Sequence, residues 1–363
     1  MTVSPEPQGR ALGSPRGGTG LLTVATVFAV LWLAAFAGAL LWGPVPLAPG
    51  DVLAILAGIA GDSGGAGPAP GETVILAIRL PRALLGMAVG AALAVAGAAL
   101  QGLFRNPLAD PGLIGVSTGA ALAAATAIVF GGTIMAAVPF LSPGLVIPVA
   151  AFTGGLVVTL VVYRIASRDG RTEVATLLLA GVAVNAIAGA GIGLLVFVSN
   201  DQELRDLNFW MLGSLGGVTW DRLLPALPII LAPALALPLL ARHLDALLLG
   251  ETEALHLGFP VERCKRWIVG LCALAVGGAV ALTGVIGFIG LVVPHLVRLL
   301  VGARHGLVMP LSALLGSALL LIADLVARTA ALPAELPIGI VTSCIGGPFF
   351  LWLLVRGRHG GTW

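Results

Sequence analysis

LPRALLGMAVGAALAVAGAALQGLF, running from Leu80 to Phe104, is apolar apart from Arg82 near its start and Gln101 near its end. A helix rises about 1.5 Å per residue through about 30 Å of hydrocarbon, so roughly 20 mostly apolar residues make a membrane span. This stretch meets that requirement, and the chain repeats the pattern many times. Of its 363 residues 58% are hydrophobic and 10% charged, with a mean hydropathy of +1.06, whereas a soluble domain carries about 25% charged residues. Water is therefore not the main solvent. The 51 glycines suit a membrane bundle, where small residues let helix backbones approach and dispersion replaces the hydrophobic effect.

Working outward from this stretch, spans are expected at 21–42, 80–104, 112–132, 145–166, 173–199, 222–241, 265–285, 286–302, 306–328 and 337–356. The predicted fold is an all-α polytopic membrane protein of ten transmembrane helices. One transmembrane domain, residues 21–363, follows an expected disordered cytoplasmic tail at 1–20 that is rich in Gly, Pro and Ser. The first span is too long for the apolar core of a signal peptide. The eighth, interrupted by Gly and Pro, reads as a broken helix beside a pore. With both termini inside, all of the 19 Lys and Arg except Arg79, Arg82, Arg205, Arg222 and Arg328 fall on the cytoplasmic side, as the positive-inside rule requires.

Those exceptions are informative. Arg205 lies among Asp201, Glu203 and Asp206, and Arg222 follows Asp221. Arg79 and Arg82 flank Pro81 without local acidic company, and Arg328 closes the ninth span on the same side. They form either an outward basic patch for an acidic partner or a set of arginines snorkelling to the interface, with Arg328 paired to Asp324 one turn back.

Gly90, Gly97 and Pro107 recur at one offset as Gly277, Gly284 and Pro294, and Arg79 likewise matches Arg266. Two halves of five spans each would be inverted relative to one another, an arrangement typical of transporters. An ion-coupled carrier needs ionisable residues inside the membrane, and these spans offer almost none; Gln101, Asn185 and Asp324 read as interhelical hydrogen-bonding groups. A membrane enzyme would need a buried acid/base or metal constellation, which is also missing. Cys264, Cys272 and Cys344 read as packing residues, and the five histidines show no metal-ligand spacing. The net charge of +2 and the scatter of basic residues beside spans give no nucleic-acid surface.

Energy must come from elsewhere, because the only lysine, Lys265, is followed by Arg266. A phosphate-binding loop needs glycines before its lysine and a hydroxyl after it. A separate motor would dock on the longest internal cytoplasmic segment, Arg242 to Arg263. This reads as short amphipathic helices broken at Gly250 and Gly258, with Asp245, Glu251 and Glu253 available for polar contact.

At RLPR (Arg79–Arg82), GAALQGLFRNPLADPGLIGVSTGAAL (Gly97–Leu122), GETEALHLG (Gly250–Gly258), GFIGLVVPHLVR (Gly287–Arg298) and ELPIGIVTSCIGGPFFLWLL (Glu335–Leu354), the chain resembles the FecCD family. These are permeases of vitamin B12, iron-siderophore and haem ABC importers. The resemblance runs from about residue 20 to the C-terminus.

It implies a type II importer permease in the bacterial inner membrane. The implied assembly is a homodimer with its pathway on the two-fold axis, two ATPase subunits below and a periplasmic substrate-binding protein above. The chain itself would bind no cofactor, ATP and Mg being used by the ATPase. By motif, Arg79, Arg82 and Arg328 look like arginines that meet acidic residues of the binding protein. Asp245, Gly250, Glu251, Glu253, Leu257 and Gly258 fall in or beside the coupling helices that seat on the motor. Asn106 and Leu108 match a cytoplasmic gate, as do the positions of Val174 and Ala175, where vitamin B12 permeases carry polar residues. RNPLADPGLIGVSTGAAL and LRDLNFWMLGSLGGVTW (Leu204–Trp220) look most like haem permeases, which makes haem the expected cargo. A ferric siderophore or a corrinoid is the alternative within this class, and an ion-coupled secondary transporter the rival from another.

Overall fold

In the computed structural model, residues 18–58, 70–140 and 142–357 are described. Most of the expected N-terminal tail lies outside them. The part that is described belongs to a helix, α1 (Gly18–Leu41), so the boundary expected at residue 20 falls inside that helix. Its leucines and valines, Leu22, Val27, Val30 and Leu33 among them, point outward, as they do on a helix whose solvent is lipid.

The order that follows is α2 (Pro49–Leu56), α3 (Pro70–Leu103), α4 (Val116–Val129), α5 (Gly131–Ala137) and α6 (Pro143–Ala166). A two-residue hairpin, β1 (Ser167–Arg168) with β2 (Arg171–Thr172), leads to α7 (Val174–Val198) and α8 (Asp201–Leu212). The second half comprises α9 (Trp220–Leu247), α10 (Glu251–His256), α11 (Val261–Thr283), α12 (Ile289–Val301), α13 (His305–Thr329) and α14 (Ile338–Gly357).

Each expected span lands on helix. Among the described residues 7 helices are long and apolar enough to cross a membrane; α4 and α5 together make a span bent by 87°, and α12 and α14 are shorter. α3 starts earlier than its hydropathy suggested, because a π-helical stretch, Thr73–Arg79, continues it backwards past the charged Arg79 and Glu72. α9 likewise runs on through Arg242 and Asp245. Polar residues mark where apolarity ends, not where backbone hydrogen bonding ends.

α3 is the axis of the bundle, and small residues let its neighbours touch its backbone. A Cβ on Gly97 would lie 1.8 Å from the carbonyl oxygen of Gly290 on α12, and one on Gly90 would lie 2.4 Å from that of Gly316 on α13. Ser317 Oγ closes the second crossing by donating to Met87 O at 2.8 Å. α4 and α6 cross in the same way at Gly119 and Gly154.

The offset pairs of the sequence do different work in the two halves. Gly97 is a mid-helix crossing point, whereas Gly284 lies past the end of α11 with φ +70°. Pro107 sits in a turn and Pro294 inside α12; Arg79 is buried and Arg266 exposed. α11 stops where the matching part of α3 is still helical, so the chain unwinds over 284–288 before α12 begins. The eighth span, expected to be broken by its Gly and Pro, is instead the continuous α12 with Pro294 inside it, and the unwound stretch that precedes it holds Phe288 at φ +69°.

Candidate functional site

Polar chemistry concentrates at the two ends of the bundle. At one end, Arg79, Arg82 and Arg328 converge, brought together by the first turns of α3 and the end of α13. They are not an exposed basic patch: their exposures are 3%, 8% and 3%. Arg82 is clamped by Asp324, with Nε donating to Oδ1 at 3.0 Å and Nη2 to the same oxygen at 2.9 Å. Its Nη1 donates to Glu335 Oε1 at 3.0 Å. Arg82 lacks local acidic company, as read from the sequence, but it acquires remote partners on folding. Its partners are 242 and 253 positions away in the chain, beyond the reach of a local reading.

Among the described residues Arg79 has no carboxylate partner. It donates instead to the carbonyls of Leu40 at 2.6 Å and Leu41 at 3.0 Å, and to Val45 O, stitching the end of α1 to α3. Arg328 donates to Ala39 O at 2.6 Å, and its Nε lies 3.7 Å from Asp324 Oδ2. The pairing with Asp324 read from the sequence is present, but it forms part of a three-arginine, two-carboxylate cluster. Guanidinium forks suit this role, since they meet carboxylate and carbonyl oxygens without losing charge. Glu335 is the open member, with its side chain 41% exposed.

Between the ends, the polar groups singled out in the sequence do join helices. Asn185 Nδ2 donates to Gly112 O at 3.0 Å and Asn185 Oδ1 accepts from the Thr118 hydroxyl. Gln101 Nε2 donates to Leu291 O at 3.2 Å, and Arg298 donates to Gln101 Oε1. A cavity of about 530 Å³ opens beside the α4–α5 bend, with Met135, Asp206, Trp210 and Thr283 in its walls.

At the opposite end lie the expected gate and coupling residues. Asn106 Oδ1 accepts from Leu108 N–H at 2.9 Å, a turn around Pro107 that carries the chain away from α3. Asp110 caps the single 3-10 turn Pro111–Ile114 by accepting from Gly112 N–H at 2.7 Å. Burial lifts its carboxyl above the ordinary range, and the Gly112 hydrogen bond opposes that only in part. Val174 is half-buried and Ala175 exposed at the head of α7. Both line a cavity of about 710 Å³, together with Arg105, Arg171, Glu251 and Glu262. The two gate stretches thus approach one cavity, Arg105 standing next to Asn106.

The coupling residues divide into two kinds. Asp245 faces inward, its Oδ1 accepting from the backbone N–H of His305 at 2.9 Å and meeting His305 Nδ1 at 2.7 Å, so it caps the start of α13. Its expected availability for a partner is corrected. Glu251 is bound to Lys265 Nζ at 2.7 Å. Gly250 and Gly258 bracket α10 with φ +120° and +86°, conformations that glycine adopts without strain. The segment presents a mixed face outward: Leu248, Leu249, Leu255 and Leu257 are exposed, and so are Thr252, Glu253 and His256. His243 and Phe259 pack edge to face beneath it.

Sequence reasoning missed the role of Lys265, read there only as a cytoplasmic basic residue that cannot serve a phosphate-binding loop, and of Glu335, quoted only as the first residue of a motif. It also took all three cysteines as packing residues; Cys264 and Cys272 are buried, but Cys344 is exposed. Among the described residues no group of three or more His, Cys, Asp or Glu could hold a metal ion.

The sequence profile of the FecCD transport family matches residues 29–356. The hemin transport system permease of Yersinia pestis is 49% identical over 288 residues, covering 78% of this chain and 84% of that protein. The cobalamin import system permease of Halobacterium salinarum is 44% identical over 287 residues, covering 79% of this chain and 74% of that one. A vitamin B12 import system permease of Escherichia coli is 41% identical over 292 residues, covering 80% and 86%. A solved structure described as an inward-facing conformation of a metal-chelate type ABC transporter superposes with a TM-score of 0.77 at 31% identity, covering 92% of this chain and 99% of that one. With a family profile that covers most of the chain and relatives more than 40% identical over three quarters of it, the chain belongs to the FecCD transport family, as a permease subunit of an ABC importer.

Proposed function

We propose that this chain is the permease of a haem importer in the bacterial inner membrane, working as a homodimer with two ATPase subunits and a periplasmic binding protein. The observation that carries the haem reading is the 49% identity to the hemin permease, against 44% and 41% for the cobalamin and vitamin B12 permeases. That no group of three or more His, Cys, Asp or Glu gathers among the described residues fits a cargo whose iron is already enclosed and is only passed along. ATP-driven motion of the motor enters at Gly250–Gly258, where Leu255 and Leu257 supply the apolar contact. It ends at Asn106, Leu108, Val174 and Ala175.

At the other end the binding protein docks over Arg79, Arg82 and Arg328. Since these are buried, an acidic residue of the partner reaches Arg82 by displacing Glu335, the exposed member of the cluster. The complex in liposomes, supplied with hemin-loaded binding protein and ATP, is expected to accumulate haem and to raise its ATP hydrolysis. Uptake of cyanocobalamin with no response to hemin would refute the cargo while leaving the importer class intact. That second reading has its own support in the 44% identity to a cobalamin permease.

A further inference from the structure

We infer that Lys265 is a positioning residue that ties the motor-facing helix α10 to the head of α7, a role that rests on the importer reading above. Lys265 is the only lysine of the chain and is 2% exposed. An ammonium in such a place is tolerated only if its hydrogen-bond donors are met. All three are. Nζ donates to Thr172 O at 2.6 Å, Glu251 Oε2 at 2.7 Å and Glu262 Oε1 at 3.0 Å. The acceptors come from three places: the β2 strand, α10 and the first turn of α11.

Glu262 does a second job. Its Oε2 accepts the backbone N–H of Thr172 at 2.8 Å, so both backbone groups of Thr172 are held by this one charged cluster. Val174 and Ala175 follow Thr172 after a single intervening residue. Among the described residues no other hydrogen bond joins the 250–258 segment to the 167–176 stretch; the cavity of about 710 Å³ lies between them, with Glu251, Glu262, Val174 and Ala175 all in its wall. Lys265 is therefore the strut across an otherwise open gap. Without its charge, Glu251 and Glu262 would be left as two carboxylates facing one another, which repel. Charge-assisted contacts are short and directional, so a displacement of α10 is passed to Thr172, and from there to α7, without being absorbed by side-chain rearrangement.

The test uses the full complex in liposomes, with Cys344→Ser removing the exposed native thiol and Ala175→Cys reporting on the head of α7. Alkylation of the introduced thiol by a membrane-impermeant maleimide is timed with and without ATP and vanadate. With Lys265 intact, nucleotide is expected to change the rate by at least about fivefold, the lower end of typical coupling between sites. In Lys265→Met and Glu251→Gln the change should fall below about twofold, and Lys265→Arg should restore part of it. Glu173→Gln, which removes a carboxylate from the same cavity without touching the cluster, should respond like the parent. If Lys265→Met does not assemble, Glu251→Gln decides, since that side chain is 38% exposed and its loss leaves Lys265 bound to Glu262 and Thr172. A full nucleotide response in Glu251→Gln overturns the strut. A parent complex whose reporter thiol ignores nucleotide overturns it as well. Haem uptake by the same vesicles is scored separately: no uptake with an intact nucleotide response sinks only the haem reading.

Discussion

Asp324→Asn tests the arginine cluster most directly. Asp324 is 2% exposed at its side chain and receives both Nε and Nη2 of Arg82, while standing 3.7 Å from Arg328 Nε. Neutralising it leaves Arg82 with Glu335 alone and Arg328 with the Ala39 carbonyl alone, in a site that also holds Arg79. Removing one partner of a buried pair typically costs about 3–5 kcal/mol, because the remaining charge is left desolvated and uncompensated. Glu335→Gln is the comparison. That carboxylate is 41% exposed, water screens it, and loss of an exposed pair costs about 0–1 kcal/mol. The assay is the unfolding free energy of the purified chain in mixed micelles, read by tryptophan fluorescence. Asp324→Asn should lose several times what Glu335→Gln loses, and Arg82→Met combined with Asp324→Asn should lose less than the sum of its single changes. Equal, small losses from Asp324→Asn and Glu335→Gln would refute the reasoning, since they would place both carboxylates in comparable surroundings.

Gly97→Ala should destabilise the bundle by at least the ~1–3 kcal/mol of an overpacked core, because its Cβ would fall 1.8 Å from a backbone oxygen that has no rotamer to escape into; a variant unfolding with the parent would show that α12 yields. Leu255→Ser with Leu257→Ser should weaken association of the ATPase with the purified permease by about a hundredfold or more, two lost apolar side chains being worth at least ~3 kcal/mol together, and undiminished recovery of the ATPase counts against the docking face. Asp110 gives a pH dependence. Its folded-state pKa lies above the ordinary 3.8, so the folded chain binds the proton more tightly than the unfolded one, and stability from this group is present at low pH and lost as pH rises through the raised value. Asp110→Asn keeps an acceptor for Gly112 N–H and should gain stability relative to the parent as pH rises from about 4; a difference that stays flat with pH contradicts the burial of that charge.

How much of this was legible beforehand depends on the range over which a residue's partners lie. The spans were legible because a span is a local property: apolarity over twenty residues fixes it whatever lies next door. The same locality misplaced the start of α3, since Arg79 reads as an end until its carbonyl partners on α1 are known. The named docking and gate residues fall at opposite ends of the bundle. The Arg328–Asp324 pairing was legible because it is one turn long, whereas Arg82 has no local partner in a linear reading and becomes an internal tie once Asp324 is folded against it. Lys265 carried one legible signal, its singularity in a chain of arginines. A lysine gathers three donors at one point, whereas a guanidinium spreads five donors around a plane, as Arg82 does between Asp324 and Glu335.

The distribution of close contacts also limits which motions the bundle can make. Where two helices meet backbone to backbone, as α3 does with α12 and α13 or α4 with α6, sliding by a fraction of an ångström brings atoms into overlap, so these groups move as units. α11 stands between the two groups and meets them differently. A Cβ on Gly277 would sit at ordinary contact, 3.5 Å, from Phe152 of α6, and one on Gly278 would lie 3.1 Å from an Ile230 side-chain atom of α9. Side chains can give there. The backbone beside α11 is unwound over 284–288. Lys265 lies in the first turns of that same helix, so its ties to α10 and the hairpin place the proposed link between the 250–258 segment and the head of α7 on the helix that stands between the two close-packed groups.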